Sequence, residues 1–327
     1  MTSLAAIRSS NSSFFRSALL TSSGLAADAL TAVFVGGTSG IGEGMALTYA
    51  QHTEGKSNIV IVGRNRAAAE RIFASMPGPS PGEAKVARDF VQCDVAIMKN
   101  VQSATQEILA RYPKINFLIL SPGTVTLSGR DATSEGIDKK LALHYYARWK
   151  FTQDLLPALK SAVDKGQKAA VMSVLSAGQG GKVDLQDLGL EKGYSLSAVA
   201  KAASTYNDMM MESFAEQAPN IAFIHAYPGF VRTPIVASSS TPSLRIVSSI
   251  LMPLLSPLSI SPLDCGEYMW HAIASTATKP GAWRTGKRGE NIGKKGYFVD
   301  TEGRKEVWKH TEEVVTRAVT IGDSPTI

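Results

Sequence analysis

The chain alternates between short apolar runs and longer segments in which apolar residues recur at helical spacing. The runs show little polar alternation, which is typical of parallel strands covered on both faces. The predicted strands are residues 31–35, 59–62, 90–94, 116–120, 169–174 and 221–227. The predicted helices between them are residues 41–51, 101–112, 137–159 and 195–217. Strands that alternate with helical connections predict an α/β fold with a doubly wound parallel sheet.

The pattern weakens after the sixth predicted strand. Residues 246–263 are apolar, carry serines and are interrupted by Pro253, Pro257 and Pro262. Prolines at that density would break a membrane helix, so we predict a flap over a substrate cleft rather than a bilayer span. A basic, glycine-punctuated segment follows, and a closing helix is predicted near residues 305–319.

No repeat and no linker divides the chain after its first thirty residues. We therefore predict one domain over residues 31–327, with the flap at about residues 235–265 and an N-terminal extension over residues 1–30.

The extension is rich in serine, and residues 1–27 contain two arginines and no acidic residue. This composition resembles an organelle transit peptide. The alternative, which we favour, is a short amphipathic helix that leans on the domain through Leu4, Ile7 and the pair Phe14-Phe15. A cytoplasmic location is therefore expected over a mitochondrial one.

Composition narrows the class of protein. Hydrophobic residues make up 44% of the 327 residues and charged residues only 19%, which is enough for one sizeable core. The net charge of +6 is spread along the chain, so we expect a solvated basic surface and no nucleic-acid partner. Two cysteines offer neither a disulfide framework nor a metal cluster.

Three glycines lie between the first predicted strand and the helix that follows it. At such a turn, backbone N–H groups approach a pyrophosphate, a side chain would block the approach, and the helix N-terminus adds partial positive charge. On the first strand of a βα series, this pattern predicts a Rossmann fold and a dinucleotide site. The predicted site residues in the turn are Gly36, Thr38, Ser39, Gly40, Ile41 and Gly42.

The end of the second strand suggests which dinucleotide binds. It continues into Gly63-Arg64-Asn65, where many dinucleotide folds carry an acid for the ribose 2′-hydroxyl. An acid would repel a 2′-phosphate, whereas Arg64 can pair with one, so we predict NADP(H), with Asn65 beside it. Asp94, after the third strand, either accepts from the adenine amino group or caps the next helix.

Several of these motifs occur together in the order found in the short-chain dehydrogenase/reductase family. They are the Gly-x-x-x-Gly-x-Gly spacing, Asp94, a fourth strand that ends at Gly123, Tyr194, and Pro228-Gly229-Phe230-Val231-Arg232-Thr233. The chain resembles this family over about residues 31–235, most closely a fungal branch that includes tailoring reductases of secondary metabolism. The resemblance implies that Gly123, Pro228, Gly229, Val231 and Thr233 also contact the cofactor.

The resemblance also implies a chemistry. Enzymes of the family move a hydride between nicotinamide and a carbonyl or alcohol. A tyrosine moves the hydroxyl proton, a lysine one turn later supports it, a serine holds the substrate oxygen, and an asparagine holds a relay water. Such a set is needed because an alkoxide-like oxygen must be stabilised and protonated as the hydride arrives.

This sequence matches only part of that set. Tyr194 matches the tyrosine, but the fourth residue after it is Ala198. Lys201 lies seven residues on and would share a helix face with Tyr194, about 10 Å along the axis rather than about 6 Å. It either reaches back or, as we favour, is solvated.

The other two positions are also altered. His144 stands at the asparagine position and either holds a relay water or is an ordinary packed histidine. Ser176 matches the serine without a gap, and Ser173 is the alternative, with an insertion within residues 179–192 before the tyrosine. Ser121-Pro122-Gly123 replaces the family's asparagine-rich turn.

These observations predict an NADP(H)-dependent oxidoreductase that acts on a small lipophilic ketone or alcohol, such as a terpenoid or polyketide. The missing lysine keeps an alternative open, in which the fold performs non-redox work as a cyclase, isomerase or dehydratase, or only binds. The sequence leaves the substrate, the reaction direction and a homo-oligomeric state open.

Overall fold

The computed structural model of the chain describes residues 2–20, 29–79, 86–246 and 259–320. The strands are β1 (Thr31–Val35), β2 (Asn58–Gly63), β3 (Arg88–Gln92), β4 (Phe117–Leu120), β5 (Ala170–Val174), β6 (Ala222–Ala226) and β7 (Gly281–Thr285). The helices are α1 (Leu4–Leu20), α2 (Gly40–His52), α3 (Arg66–Ala74), α4 (Met98–Arg111), α5 (Lys139–Leu141), α6 (Ala147–Asp164), α7 (Leu196–Gln217), α8 (Pro262–Thr276) and α9 (Thr301–Thr320), with a π-helix (Ala142–Tyr146) between α5 and α6.

The seven strands form one parallel sheet in the order β3-β2-β1-β4-β5-β6-β7. Strand order reverses between β1 and β4, and in open α/β sheets ligands bind outside the carboxyl ends of the strands at such a switch point. The predicted α/β fold with a doubly wound parallel sheet is confirmed.

Helices cover both faces of the sheet, which explains why the central strands carry no polar alternation. One buried cluster joins the sheet to α4, α6, α7 and α9, and the other joins it to α1, α2 and α8. All five residues of β1 and all four of β4 are buried. The carboxyl ends of these two strands therefore form a rigid platform for the site.

The N-terminal segment forms the amphipathic helix that the sequence favours. Ile7 and Phe15 of α1 are buried, and the Phe15 ring lies 5.1 Å from that of Trp270 in α8. The Asn11 amide donates to the Glu267 carboxylate at 2.8 Å. Burial of one such aromatic side chain stabilises the docked helix by about 1.5–3 kcal/mol.

Three elements were not predicted: α3, which lies between the second and third predicted strands, and β7 and α8, for which there is a physical reason. Strand β7 carries Arg284, whose guanidinium is buried and lies 2.9 Å from the Asp208 carboxylate, so its sequence does not look like a strand. Helix α8 begins at Pro262 with Ser261 as its cap, inside the run predicted as a flap. Strand β3 lies two residues before its predicted position.

Residues 247–258, in the middle of the predicted flap, lie outside the described residues. Its C-terminal end is part of the fold. Ile260 pairs with Val231 in a parallel bridge, and the Pro262 carbonyl lies so close to Gly44 that a Cβ there would be 2.1 Å from it. No helix in the described residues is long and apolar enough to cross a membrane.

Candidate functional site

The glycine turn after β1 packs closely against the residues that follow β4. Gly36 has φ +80°, and a Cβ there would lie 2.8 Å from the backbone nitrogen of Pro122. A Cβ on Gly42 would lie 2.5 Å from Ser121 Oγ. Both positions therefore require glycine, because the atom in the way is fixed backbone or a closely packed side chain.

A cavity of about 540 Å³ opens beside this turn, and we call it the phosphate-turn cavity. This volume lies within the usual range for ligand pockets. Nine of the predicted cofactor residues line it: Gly36, Thr38, Ser39, Gly40, Ile41, Arg64, Asp94, Gly123 and Thr233. The backbone at the start of α2 lines it too, so helix N–H groups lie at its wall. The residues present fit a dinucleotide.

The far end of this cavity carries the residues that the sequence assigns to the adenosine part. Arg64 is exposed and forms no ion pair with the described residues. Asn65 instead caps α3, because its side-chain oxygen accepts from Ala68 N at 3.0 Å. Asp94 accepts from Ala96 N at 3.1 Å.

The alternative that Asp94 caps α4 is wrong. The first amides of that helix, Met98 N and Lys99 N, donate to the carboxylate of Glu135 at 2.7 and 2.9 Å. Asp94 thus keeps its exposed position at the cavity wall.

Two further cavities continue the cleft. The inner cavity, of about 400 Å³, shares Gly123 and Thr233 with the phosphate-turn cavity. The outer cavity, of about 540 Å³, shares Pro228 and Gly229 with the inner one. Val231, the remaining predicted cofactor residue of this segment, lines the inner cavity. Together the three cavities form one cleft along the carboxyl edge of the sheet.

His144 lies at the wall of the inner cavity, in the π-helix. Its Nε2 accepts from Thr124 N at 3.2 Å, and its backbone carbonyl accepts from the Asn207 amide at 2.8 Å. Burial lowers the pKa of His144 to about 3, with contributions from the charges of Arg148 and Lys140. The ring is therefore neutral, and its proton is on Nδ1. The Nε2 atom and the backbone carbonyl of His144 are thus both held by hydrogen bonds within the fold.

Arg148, one turn further, was not predicted as a site residue. Its guanidinium is 1% exposed and donates to Ser173 Oγ at 2.6 Å and to the carbonyls of Val174, Pro122 and Leu143 at 2.9, 2.5 and 3.1 Å. No ion pair in the described residues includes it. The sequence feature that could have indicated Arg148 as a site residue is a charged side chain within an otherwise apolar stretch of a predicted helix.

Arg148 is a fixed cation at the base of the cleft. Burial lowers its pKa to about 9, so it stays charged near neutral pH. It ties the ends of β4 and β5 together, which fixes the wall on which the inner cavity is built.

The two candidate serines have different surroundings. Ser173 is buried, and its hydroxyl donates to Asn207 Oδ1 at 2.6 Å while it accepts from Arg148. Ser176 is partly buried. Its amide donates to His225 Nε2 at 3.3 Å, and its carbonyl accepts from Ser204 Oγ at 2.7 Å. Ser173 is therefore committed to the scaffold, which leaves Ser176 as the candidate hydroxyl.

Tyr194 is half-buried and lies one residue before the cap of α7, Ser195. Its hydroxyl oxygen is buried and has no hydrogen-bond partner among the described residues. The Lys140 ammonium lies 5.3 Å from the centre of its ring. Tyr194 does not line any of the three cavities described above.

Lys201 does not approach this tyrosine along a helix face. Tyr194 precedes α7, so the two residues are not seven positions apart on one helix. Lys201 is exposed, and its stem packs on Gly181, where a Cβ would lie 3.0 Å from Lys201 Cδ. The structure thus supports the solvated alternative.

A network of buried polar and charged side chains supports the outer cavity. His225 Nδ1 lies 2.6 Å from the Asp208 carboxylate, which also pairs with Arg284, whose guanidinium donates to the carbonyls of Gly293 and Lys295. This network holds the segment after β7 against the sheet. No group of metal-ligating side chains occurs within the parts of the chain that the structure describes.

The sequence of this chain is similar to a known protein family and to fungal relatives. The family model described as short chain dehydrogenase matches residues 30–243, well over half of the chain. The chain belongs to the short-chain dehydrogenase/reductase family. An oxidoreductase from Emericella nidulans is 35% identical over 244 residues, which cover 74% of this chain and 71% of the relative. A second, from Emericella variicolor, is 34% identical and covers 77% and 71%.

Solved structures share the fold of this short-chain dehydrogenase. A 3-ketoacyl-(acyl-carrier-protein) reductase from Brucella melitensis, complexed with NADH, has a TM-score of 0.53 at 19% identity and covers 80% of this chain and 98% of its own. An alcohol dehydrogenase from Thermococcus sibiricus, complexed with 5-hydroxy-NADP, has a TM-score of 0.55 at 15% identity and covers 79% and 95%. Both are similar in fold alone.

Within the short-chain dehydrogenase family, this chain differs from the familiar pattern around Tyr194 and not around the phosphate turn. The sequence predicts the turn because its glycines fall within seven consecutive residues and each has a steric reason. It does not predict Arg148, Asn207 or Lys140, because their roles depend on residues that are distant in the chain.

Proposed function

We propose that this short-chain dehydrogenase/reductase is an NADP(H)-dependent oxidoreductase that reduces a ketone of a small lipophilic secondary metabolite. The observation that carries the cofactor part is Arg64, exposed at the wall of the phosphate-turn cavity with no acidic partner. A guanidinium there suits a 2′-phosphate, whereas a ribose 2′-hydroxyl needs an acceptor.

The inner cavity supports the lipophilic part of the proposal. Beyond the cofactor residues, its wall carries more apolar than polar side chains: Val125, Val174, Leu175, Phe230, Ile235 and Val236 beside Ser121, Thr124, His144 and Arg148. Such a wall excludes water and offers few partners to a polar substrate. The fungal relatives named as oxidoreductases support the redox part of the proposal.

Bound at this site, NADP(H) would supply the hydride. The amides of the turn would hold the pyrophosphate, and Arg64 the 2′-phosphate. Thr233 and Gly123 lie where the phosphate-turn and inner cavities meet, so they would align the reactive end of the cofactor. Tyr194 would pass its hydroxyl proton to the substrate oxygen, with Ser176 as the second hydroxyl.

A second candidate function is non-redox work on the same fold. It is favoured by one observation, that Tyr194 lies off the three cavities and is not followed by the family lysine. A cyclase, isomerase or dehydratase would use the cleft without turnover of the cofactor.

The deciding experiment is a titration with NADPH and with NADH, followed by cofactor oxidation against a panel of hydrophobic ketones. The proposal expects tighter NADPH binding and oxidation of NADPH on at least one ketone. A comparison of metabolites by mass spectrometry, with and without the protein, selects the panel. NADPH binding without oxidation on the metabolite that accumulates would favour the second candidate.

A further inference from the structure

Lys140 in α5 is a buried lysine with few partners. It is 5% exposed, and its ammonium donates to the carbonyl of Gly129 at 3.0 Å. None of the ion pairs formed by the described residues includes it, whereas its neighbour Lys139 pairs with Asp131 at 2.9 Å on the surface. An ammonium has three donors, so two of them remain after the bond to Gly129.

The same lysine connects the cleft to the tyrosine. Lys140 lines the phosphate-turn cavity, and its ammonium lies 5.3 Å from the centre of the Tyr194 ring. Within the described part of the chain, no group forms a hydrogen bond with the buried Tyr194 hydroxyl. A buried charge without an acid and a buried hydroxyl without a partner are both costly, and here they occur side by side.

We propose that Lys140 supplies the ammonium that the family places four residues after the tyrosine. From the start of the α5–α6 helical segment, it binds the ribose hydroxyls of NADP(H) and provides the positive charge beside Tyr194. Lys140 is thus a cofactor-binding residue and a positioning residue for the proton donor. The inference rests on the proposed function, in which Tyr194 moves the proton.

Other cations in the neighbourhood do not suit this role. Lys201 is exposed and packs on Gly181. Arg148 is committed to backbone carbonyls and Ser173 through both of its terminal nitrogens. Lys140 alone among these three combines burial, free donors and contact with both the cavity and Tyr194.

A purely structural role would also explain a cation over a ring. In that case Lys140 only anchors the segment around Tyr194, as a cation–π pair does in many proteins. The two roles differ in what happens to cofactor affinity when the ring is removed and the lysine is kept.

The experiment measures NADPH binding to the full chain, without substrate, by the change in NADPH fluorescence. Lys140→Met keeps the length of the side chain and removes the charge, and Lys140→Arg restores a cation. Lys192→Met is the matched control, because it removes an exposed lysine two residues before Tyr194 and outside the three cavities. Tyr194→Leu removes the ring and keeps Lys140.

We expect Lys140→Met to weaken NADPH binding by about tenfold or more, as the loss of a charge-assisted hydrogen bond does. Lys140→Arg should recover most of that loss, and Lys192→Met should change affinity by less than about twofold. Tyr194→Leu should keep most of the NADPH affinity. The melting temperatures of all variants are measured alongside.

Unchanged NADPH affinity in Lys140→Met would overturn the inference while the proposed function stands. An equal loss in Tyr194→Leu and Lys140→Met would overturn it as well, in favour of the anchoring role. If Lys140→Met does not fold, Lys140→Gln takes its place under the same two criteria. A parent protein that binds no NADPH at all would instead contradict the proposed function.

Discussion

The two ends of the cleft are built in different ways. At the phosphate turn, residues within one short stretch, 36–41, line the cavity, so the pattern is local in the sequence. At the other end, the contact of Lys140 with Tyr194 and that of Arg148 with Ser173 join distant segments. The first end keeps the family pattern, whereas the second lacks the family lysine and, in our proposal, takes its cation from another helix.

The two ends differ in how much substitution their geometry tolerates. The turn has no room for substitution, because a Cβ would meet backbone atoms. The corner around Tyr194 needs only a positive charge and a proton donor in reach, and these can come from any neighbouring element. A lost lysine is therefore weaker evidence against catalysis than a lost glycine would be.

The largest expected effect concerns the corner. Tyr194→Phe removes only the hydroxyl, so turnover on an active ketone should fall by about 10² to 10⁴, the usual range for loss of a general acid. NADPH affinity should stay nearly intact, because the turn is untouched. Turnover close to that of the parent would mean that Tyr194 is not the donor and would strengthen the non-redox candidate.

The second effect concerns Arg148, which ties the ends of β4 and β5 together beneath the cleft. Arg148→Met leaves the carbonyls of Pro122, Val174 and Leu143 and the Ser173 hydroxyl without their donor. The free energy of unfolding should fall by about 3–5 kcal/mol in urea denaturation. Arg111→Met, which removes an exposed arginine with surface partners, is the control and should cost less than about 1 kcal/mol. A loss no greater than that of the control would show that Arg148 is not structural.

The contrast between the two ends also explains what the sequence could predict. Strands β1 to β6 follow from uninterrupted apolar runs, because burial on both faces leaves a strong local signal, and helices α2, α4, α6 and α7 follow from apolar residues at helical spacing. Strand β7 does not, because Arg284 is neutralised by Asp208 from another helix. For α1, the sequence favours the helical form but does not predict its packing partner Trp270, which lies far along the chain.

The candidate site divides in the same manner. The turn residues were predicted from spacing alone, and nine of the predicted cofactor residues line one cavity. Asn65 was assigned to the cofactor but caps α3 in the structure, since a residue after a strand suits both roles. Lys140 and Arg148 carry no motif, because a buried cation is recognised only by its surroundings.

A smaller effect is expected at the adenosine end of the cleft. Arg64→Asp should weaken NADPH binding by up to a few kcal/mol and NADH binding far less, because only NADPH carries the 2′-phosphate. Arg71→Asp makes the same charge change at an exposed position of α3 outside the cavities and serves as the control. Equal affinities of the parent for NADPH and NADH would contradict the cofactor preference.

The smallest effect concerns His144, the residue at the junction of the two ends. Burial lowers its pKa to about 3, so the folded protein holds the ring neutral while the unfolded chain takes up a proton below its ordinary pKa of about 6.5. Acidification therefore lowers the free energy of unfolding through this residue, because mainly the unfolded chain takes up the proton. Between pH 7 and pH 4.5, the parent should lose about 2 kcal/mol of unfolding free energy through this residue.

His144→Asn removes that proton uptake and keeps an acceptor for Thr124 N. Its unfolding free energy, measured by urea denaturation at pH 7 and at pH 4.5, should therefore fall less than that of the parent over this interval. His271→Asn is the control for a histidine away from the cleft, with a pKa lowered by burial to a smaller degree. If the parent and His144→Asn lose stability in parallel on acidification, the imidazole is protonated in the folded protein. His144 would then be free to move a proton in the cleft, and the separation between a fixed binding end and a catalytic corner centred on Tyr194 would no longer hold.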